Sequence, residues 1–342
     1  MRRTVAVALA CVVAVLVTGC DWLVDRQIER GLRHTRTDLL TSPDLHVVLC
    51  GTGSPLADPQ RAAACTAIVA GGELLLVDAG PGSWEVVDTA GLPGAALSGI
   101  LLTHFHSDHI GDLGEAITQS WIAGRSRPLD VYGPPGTARV VDGFGEAYAA
   151  DVGYRVAHHG EAAMPRAAAG AVAHEVTLGP EPDASATVFD RNGLRVTMFR
   201  VDHAPVEPAV GYRFDYKSRS VVVSGDTRKS ASVTEHARGA DLLVHEALQR
   251  DLIGRVPPVA TRLGNPRLAK MAGDILTYHT TPVEAAEVAR DAGVGHLVLT
   301  HLVPGPSNFL TRRLFLRGVA DTYHGEVTLG EDGDEFVLTP KG

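Results

Sequence analysis

Cysteine is scarce in this chain, four residues among 342, while histidine is plentiful at fifteen. A thiolate cage needs several sulfur ligands in one place, so any metal chemistry falls to imidazole and carboxylate side chains. Aromatic residues make up only 5%, and positive charge is in deficit, with 31 Lys and Arg against 40 Asp and Glu for a net charge of −9. Proteins that hold nucleic acid by displacing its counterions present an excess of cations. A general DNA or RNA coat is excluded on this ground, and no nucleic-acid partner is expected. What is present is 45% hydrophobic and 21% charged residues, enough to bury a sizeable core in one or two domains.

The N-terminus reads as an address. Arg2 and Arg3 are followed by an almost wholly apolar run over 4–17, and Val17-Thr18-Gly19-Cys20 sets small residues ahead of a cysteine. This resembles a bacterial lipoprotein signal. Cleavage would remove residues 1–19 and leave a lipid on Cys20; the run is short of the roughly 20 residues a spanning helix needs. The expectation is an exported protein, lipid-anchored to the bacterial membrane on its periplasmic or extracellular face. Residues 20–43, polar and rich in Arg and Asp, read as a tether, and 44–342 as the folded domain. Whether Cys50 and Cys65 form a disulfide depends on their strands being neighbours, and stays open.

Along the domain, His46–Cys50, Thr66–Ala70 and Glu73–Asp78 have strand character, the last two joined by Gly71-Gly72 as a hairpin. Helical spacing covers Gly80–Ala90, Ile110–Ile122 and Thr137–Ala150, with strands at Ile100–Thr103 and Leu129–Tyr132. From Asp151 to Asp190 the pattern dissolves into Ala, Gly, Pro and His, which predicts an irregular insertion. Strands return at Leu194–Val201, Ala209–Phe214, Ser220–Ser224, Asp241–His245 and His296–Thr300, and helices at Ser230–Ala237, Pro282–Ala292 and Arg312–Ala320. Strands followed by helices occur twice, which predicts two packed sheets with helices outside, an αββα sandwich in one domain.

The strand Ile100–Thr103 runs into His104-Phe105-His106-Ser107-Asp108-His109, four metal-ligand types in six residues. On a loop leaving a strand, residues at i and i+2 point the same way and can share one ion, while Asp108 and His109 turn toward a second. A solvated turn of this composition would bury much uncompensated polarity. His203, Asp226 in Ser-Gly-Asp-Thr, and His301 each follow another strand. Four strands thus deliver ligands to one edge, as a site on rigid elements requires. Any one of these alone reads as a cap or turn residue; together with the cluster they read as ligands.

His104-x-His106-x-Asp108-His109, His203, Asp226 and His301 resemble the metallo-β-lactamase superfamily. Gly51-Thr52-Gly53-Ser54-Pro55, Leu76-Val77-Asp78-Ala79-Gly80, His203-Ala204-Pro205, Gly225-Asp226-Thr227, His245-Glu246-Ala247, His279-Thr280-Thr281 and Leu299-Thr300-His301 narrow the resemblance to its ribonuclease Z and arylsulfatase-type branch. The resemblance implies two Zn2+ ions, with Mn2+ or Fe fitting the same donors. His104, His106 and His203 would hold one ion, Asp108, His109 and His301 the other, and Asp226 would bridge. Asp108 would also orient or deprotonate the attacking water, Glu246 and His279 would assist the leaving group, and Asp78 would fix a ligand histidine from behind. The implied chemistry is ester hydrolysis by a metal-bound hydroxide.

The interval from His203 to Asp226, where ribonuclease Z carries its transfer-RNA arm, has room here only for two strands and a turn. The extra length lies before His203 and includes His158, His159 and His174, which read either as pocket residues or as solvated loop histidines. The resulting expectation is a dinuclear zinc hydrolase of a small-molecule phosphodiester or sulfate ester, with no nucleic acid and the membrane as its partner through Cys20. A lactonase or other carboxyl-ester hydrolase of the same fold is one alternative, and a non-catalytic zinc-binding protein another. The oligomeric state stays open, a dimer included.

Overall fold

The computed structural model describes residues 21–29, 31 and 34–341. Its first sheet uses β1 (Leu45–Gly51), β2 (Cys65–Ala70), β3 (Glu73–Val77), β4 (Leu97–Leu101), β5 (Leu129–Gly133) and β6 (Ala171–Glu175). The second uses β7 (Ser185–Arg191), β8 (Leu194–Arg200), β9 (Val210–Tyr216), β10 (Arg219–Val223), β11 (Leu242–Leu248), β12 (His296–Val303) and β13 (Glu326–Leu329), and β14 (Glu335–Leu338) returns to the first. The strand orders are β14-β1-β2-β3-β4-β5-β6 and β13-β12-β11-β10-β9-β8-β7. Both sheets are mixed, with parallel pairs β3–β4, β4–β5, β10–β11 and β11–β12 at their centres.

Central strands such as β3 (ELLLV) and β11 (LLVHEAL) are buried at every position, because one face meets the other sheet and the other meets helices. Leu45, Val47, Leu75 and Val77 interleave with Val196, Phe214 and Val244 between the sheets. The outer layers hold α1 (Ser83–Thr89), α2 (Ser107–Ile110), α3 (Leu113–Ile122), α4 (Thr137–His159), α5 (Ala231–His236), α6 (Val256–Arg262), α7 (Pro266–Asp274), α8 (Pro282–Ala292) and α9 (Phe309–Phe315). This is the expected αββα sandwich. The Gly71-Gly72 turn has φ of 61° and 81°, the left-handed pair a two-residue hairpin favours. At α8, Thr281 and Glu284 close a capping box ahead of Pro282.

Three segments differ from the sequence reading. Residues 151–190 are not irregular: α4 runs on to His159, and β6 and β7 follow. Only Thr137, Val141 and Val156 of α4 are buried, and β6 has no fully buried residue, so neither shows a strong apolar period. The helix expected over Ile110–Ile122 is two, α2 and α3, parted at Gly111-Asp112. Between β11 and α8, a stretch given no assignment from sequence folds as the hairpin α6–α7.

Residues 1–20, with the leader-like run and Cys20, lie outside the described residues. The segment read as a tether is docked from His34 onward: His34 Nε2 meets Thr89 O, Arg36 pairs with Glu335, and Leu39 is buried in the core. Cys50 and Cys65 sit on adjacent antiparallel strands and form a disulfide, with Cα atoms 4.9 Å apart.

Candidate metal centre

The centre lies where strands of both sheets reach their C-terminal ends. His104 follows β4, His106 caps α2 in extended backbone, and their nitrogens Nε2 and Nδ1 stand 2.9 Å apart. Helix α2 then turns the chain so that Asp108 and His109, in its first turn, face the other side of the cluster. His203 follows β8, and Asp226 follows β10 in a loop where Gly225 has φ of 61° and a Cβ would press on Thr103. His301 lies inside β12, which runs on to Val303 and does not end at Thr300 as expected. It is the extra residue in the pairing with β11, where Glu246 faces Thr300 and Ala247 faces Leu302. Its φ of 46° is the left-handed conformation such a bulge uses to re-aim a side chain.

Asp226 Oδ2 is the hub. It lies 3.4 Å from His109 Nε2 and from His301 Nε2, 3.9 Å from His203 Nε2 and 4.0 Å from His104 Nε2. Asp108 Oδ2 is 3.2 Å from His301 Nε2 and 3.7 Å from His109 Nε2. The donor atoms of His104, His106, His203 and Asp226 all lie within 4.8 Å of one another, and so do those of Asp108, His109 and His301. The structure therefore brings all seven ligand candidates together, with Asp226 in the first group and again in a third beside His279 and His301.

The surroundings fit a cation. His109 Nε2, His203 Nε2, His301 Nδ1 and Asp226 Oδ1 are buried without any hydrogen-bond partner, which proteins rarely tolerate. Burial holds the His104 and His203 imidazoles below their ordinary pKa, so they are neutral donors. Burial also works against a charged His109, yet Asp226 and Asp78 raise it well above its ordinary value. Those carboxylates demand positive charge.

Outer groups aim the ligands. Asp78 Oδ2 accepts from His109 Nδ1 at 2.7 Å, and its two oxygens also accept from Thr103 N and Oγ1, each at 2.8 Å. His203 Nδ1 donates to the Tyr278 carbonyl at 3.0 Å. In both rings this leaves Nε2 turned inward with its lone pair free. Sequence reasoning missed the Tyr278 carbonyl, because a main-chain acceptor leaves no mark in residue type.

Glu246 and His279 are brought to the same edge. Glu246 Oε1 accepts from His279 Nδ1 at 2.9 Å and from the amides of Thr227 and Thr280 at 3.0 and 3.2 Å. Burial would lower the His279 imidazolium, but the Glu246 carboxylate outweighs it and raises the pKa to about 9. The His279 ring centroid stands 5.2 Å from that of His203 and 5.6 Å from that of His301. His174 belongs elsewhere: it bonds Asp130 at 2.8 Å and stacks on Tyr132, on the edge strand β6, two strands across the sheet from β4.

Residues 74–302 match the family model described as the β-lactamase superfamily domain. A ribonuclease Z from Mycobacterium bovis is 38% identical over 302 residues, covering 87% of this chain and 99% of the relative. One from Mycobacterium marinum is 41% identical over 263 residues, covering 76% and 87%. Among solved structures, the short form of human tRNase Z superposes with a TM-score of 0.61 at 24% identity, covering 86% of this chain and 99% of that one. A metallo-β-lactamase fold protein from Bacillus subtilis gives 0.60 at 18%, covering 86% and 99%.

These relatives correct two expectations. A small-molecule ester with no nucleic acid is overturned by the ribonuclease Z match across 99% of the relative's length. The physical error was to judge RNA binding from net charge, which averages over the whole chain, when phosphate contacts depend on where cations cluster. The same match overturns the exported, lipid-anchored protein. That expectation rested on a short apolar run behind two arginines, a pattern of residue types over a few positions.

Proposed function

Since the chain belongs to the β-lactamase superfamily, as a metal-dependent hydrolase of the ribonuclease Z family, we propose that it hydrolyses phosphodiester bonds of RNA. Phosphodiesters are preferred to sulfate esters because the relatives that match along most of the chain are named as ribonucleases. The observation that carries this reading is the shared position of Asp226 Oδ2 between two histidine groups, with the His279–Glu246 pair beside it.

His104, His106 and His203 are assigned to one ion and Asp108, His109 and His301 to a second, with Asp226 common to both. Bound metal would neutralise the phosphodiester and lower the pKa of water toward about 7. The all-imidazole and carboxylate donor set suits zinc, and manganese is an alternative. Asp108, kept ionised by His301 and His109 against its burial, is suited to orient the attacking water more than to keep its proton. His279 is assigned as the general acid. Glu246 holds it protonated, and beside Asp226 and His301 it would donate to the departing ribose oxygen.

The test is turnover of an RNA stem carrying a single-stranded 3′ extension, beside bis-nitrophenyl phosphate, with and without a chelator. The expected result is cleavage of both, abolished by chelation and restored by zinc or manganese. Hydrolysis of the small diester with no cleavage of RNA would overturn the RNA assignment.

A further inference from the structure

The chain has no arm between His203 and Asp226. That interval is filled by β9 and β10, joined by a two-residue turn at Lys217-Ser218 within the sheet. An RNA held only by the buried ligand cluster would have its flanking phosphates facing a protein of net charge −9. Some local surface has to supply cations.

The segment Arg250–Asp274 stands out. It carries five cations, Arg250, Arg255, Arg262, Arg267 and Lys270, against only Asp251 and Asp274. It is rooted in the centre at both ends. Upstream it leaves β11 just past Glu246, with Leu248 N donating to Thr280 O and Gln249 N to Val303 O. Downstream it returns through Tyr278, whose carbonyl aims His203, directly into His279. Its base packs Ile253, Ala272, Ile275 and Leu276 against Leu248 and Val303 at the strand ends. Helices α6 and α7 lie against each other, and Asn265 caps the second through its bond from Leu268 N.

The cations differ in how they are used. Arg250 pairs with Glu284 and Lys270 with Asp274. Arg255, Arg262 and Arg267 are exposed and form no ion pair among the described residues. Beside them Leu263 is 76% and Leu268 45% exposed. Unpaired guanidinium groups next to exposed apolar side chains match a polyanion that also offers base and sugar faces.

The geometry points to the α6–α7 hairpin as the RNA-holding element of this chain, in which Arg255, Arg262 and Arg267 contact phosphates flanking the scissile bond. The inference rests on the RNA-hydrolase reading for its substrate, and binding is therefore measured apart from cleavage. The full-length, zinc-loaded chain and the triple variant R255E/R262E/R267E are titrated against a labelled RNA stem with a 3′ extension at three salt concentrations. Turnover of bis-nitrophenyl phosphate and sedimentation are followed alongside.

The expected result is RNA affinity at least about tenfold weaker and a salt slope lower by about 2–3, as loss of three phosphate contacts predicts. Small-diester turnover stays within twofold, and the charge-keeping R255K/R262K/R267K variant binds RNA like the parent. Unchanged RNA affinity and slope would overturn the inference, as would a parallel loss of small-diester turnover. A parent dimer that the triple variant splits, with RNA binding falling only in step, would assign the surface to a second copy instead. If the parent binds RNA through these arginines yet cleaves none, the hairpin's role stands and the hydrolytic reading falls.

Discussion

The Asp130 and Asp226 assemblies both join histidine to carboxylate, and they are put together differently. At the Asp130 assembly, Oδ1 meets His174 at 2.8 Å, and Oδ2 meets Arg127 at 2.7 Å and Arg191 at 3.3 Å. Every carboxylate oxygen there has a nitrogen partner, and the surrounding side chains reach solvent. At the Asp226 assembly the imidazole nitrogens point at one another, and Asp226 Oδ1 has no partner at all. The first is a finished ion-pair network that ties β5 and β6 of one sheet to β7 of the other. The second is complete only with cations supplied from outside. Residue type does not separate the two; the pairing of each buried atom does.

The sharpest way to break this contrast is substitution of the two central aspartates. Asp226→Ala is expected to lower RNA and small-diester turnover by about 10³-fold or more and to leave no more than one zinc per chain in metal analysis. Asp130→Ala should leave both readings unchanged. Two zinc per chain in Asp226→Ala would remove Asp226 from the centre.

A smaller effect distinguishes proton donation from scaffolding within the Asp226 region. His279→Ala is expected to slow RNA cleavage by about 10²- to 10⁴-fold. Activated bis-nitrophenyl phosphate, whose leaving group needs no proton, should lose well under that. Equal losses on both substrates would make His279 a binding or structural residue.

Metal removal should affect stability on one side of the contrast only. Dialysis against a chelator is expected to lower the melting temperature by several degrees, through loss of a ligand that binds the folded state alone, and zinc should restore it. An Asp130→Asn variant should show the same metal-dependent shift, its network being independent of the ions.

The smallest effect is expected at the finished network. Asp130→Asn should cost about 0.5–1 kcal/mol in denaturant unfolding, since its partners are partly exposed and screened. Burial would raise the Asp130 carboxyl, but Arg127 and His174 prevail and hold it below the usual range. Its contribution is thus full above the unfolded carboxylate value and fades as pH falls through the lower folded one. Parent and variant should converge in stability in acid; a gap that widens there would contradict the pairing.

The ligand cluster was legible from sequence because His104, His106, Asp108 and His109 are contiguous, and contiguity survives without a structure. His203 and Asp226 were legible as polar residues just past apolar strands. His301 was found by the same signal, although the bulge that aims it inside β12 was not visible. The sheet core was legible because strands buried on both faces read as apolar runs, as in Leu74–Val77 of β3 and Leu242–Val244 of β11. The α6–α7 hairpin left no such mark, since Val259, Leu263, Leu268 and Met271 are exposed and three prolines and two glycines interrupt it. The edge strands β6, β7, β13 and β14 hid for the related reason that their alternation is shallow. Global charge misled because it is a sum, and five cations within 25 residues vanish into it.

The order of strands along the chain carries one more consequence. Apart from β14, everything before residue 180 builds one sheet and everything after it the other. His104, His106, Asp108 and His109 come from the first half, and His203, Asp226 and His301 from the second. Neither half owns a full coordination sphere for either ion. On the proposed ligand assignment the metals would act as rivets through the seam, and parting the sheets would take both coordination spheres apart.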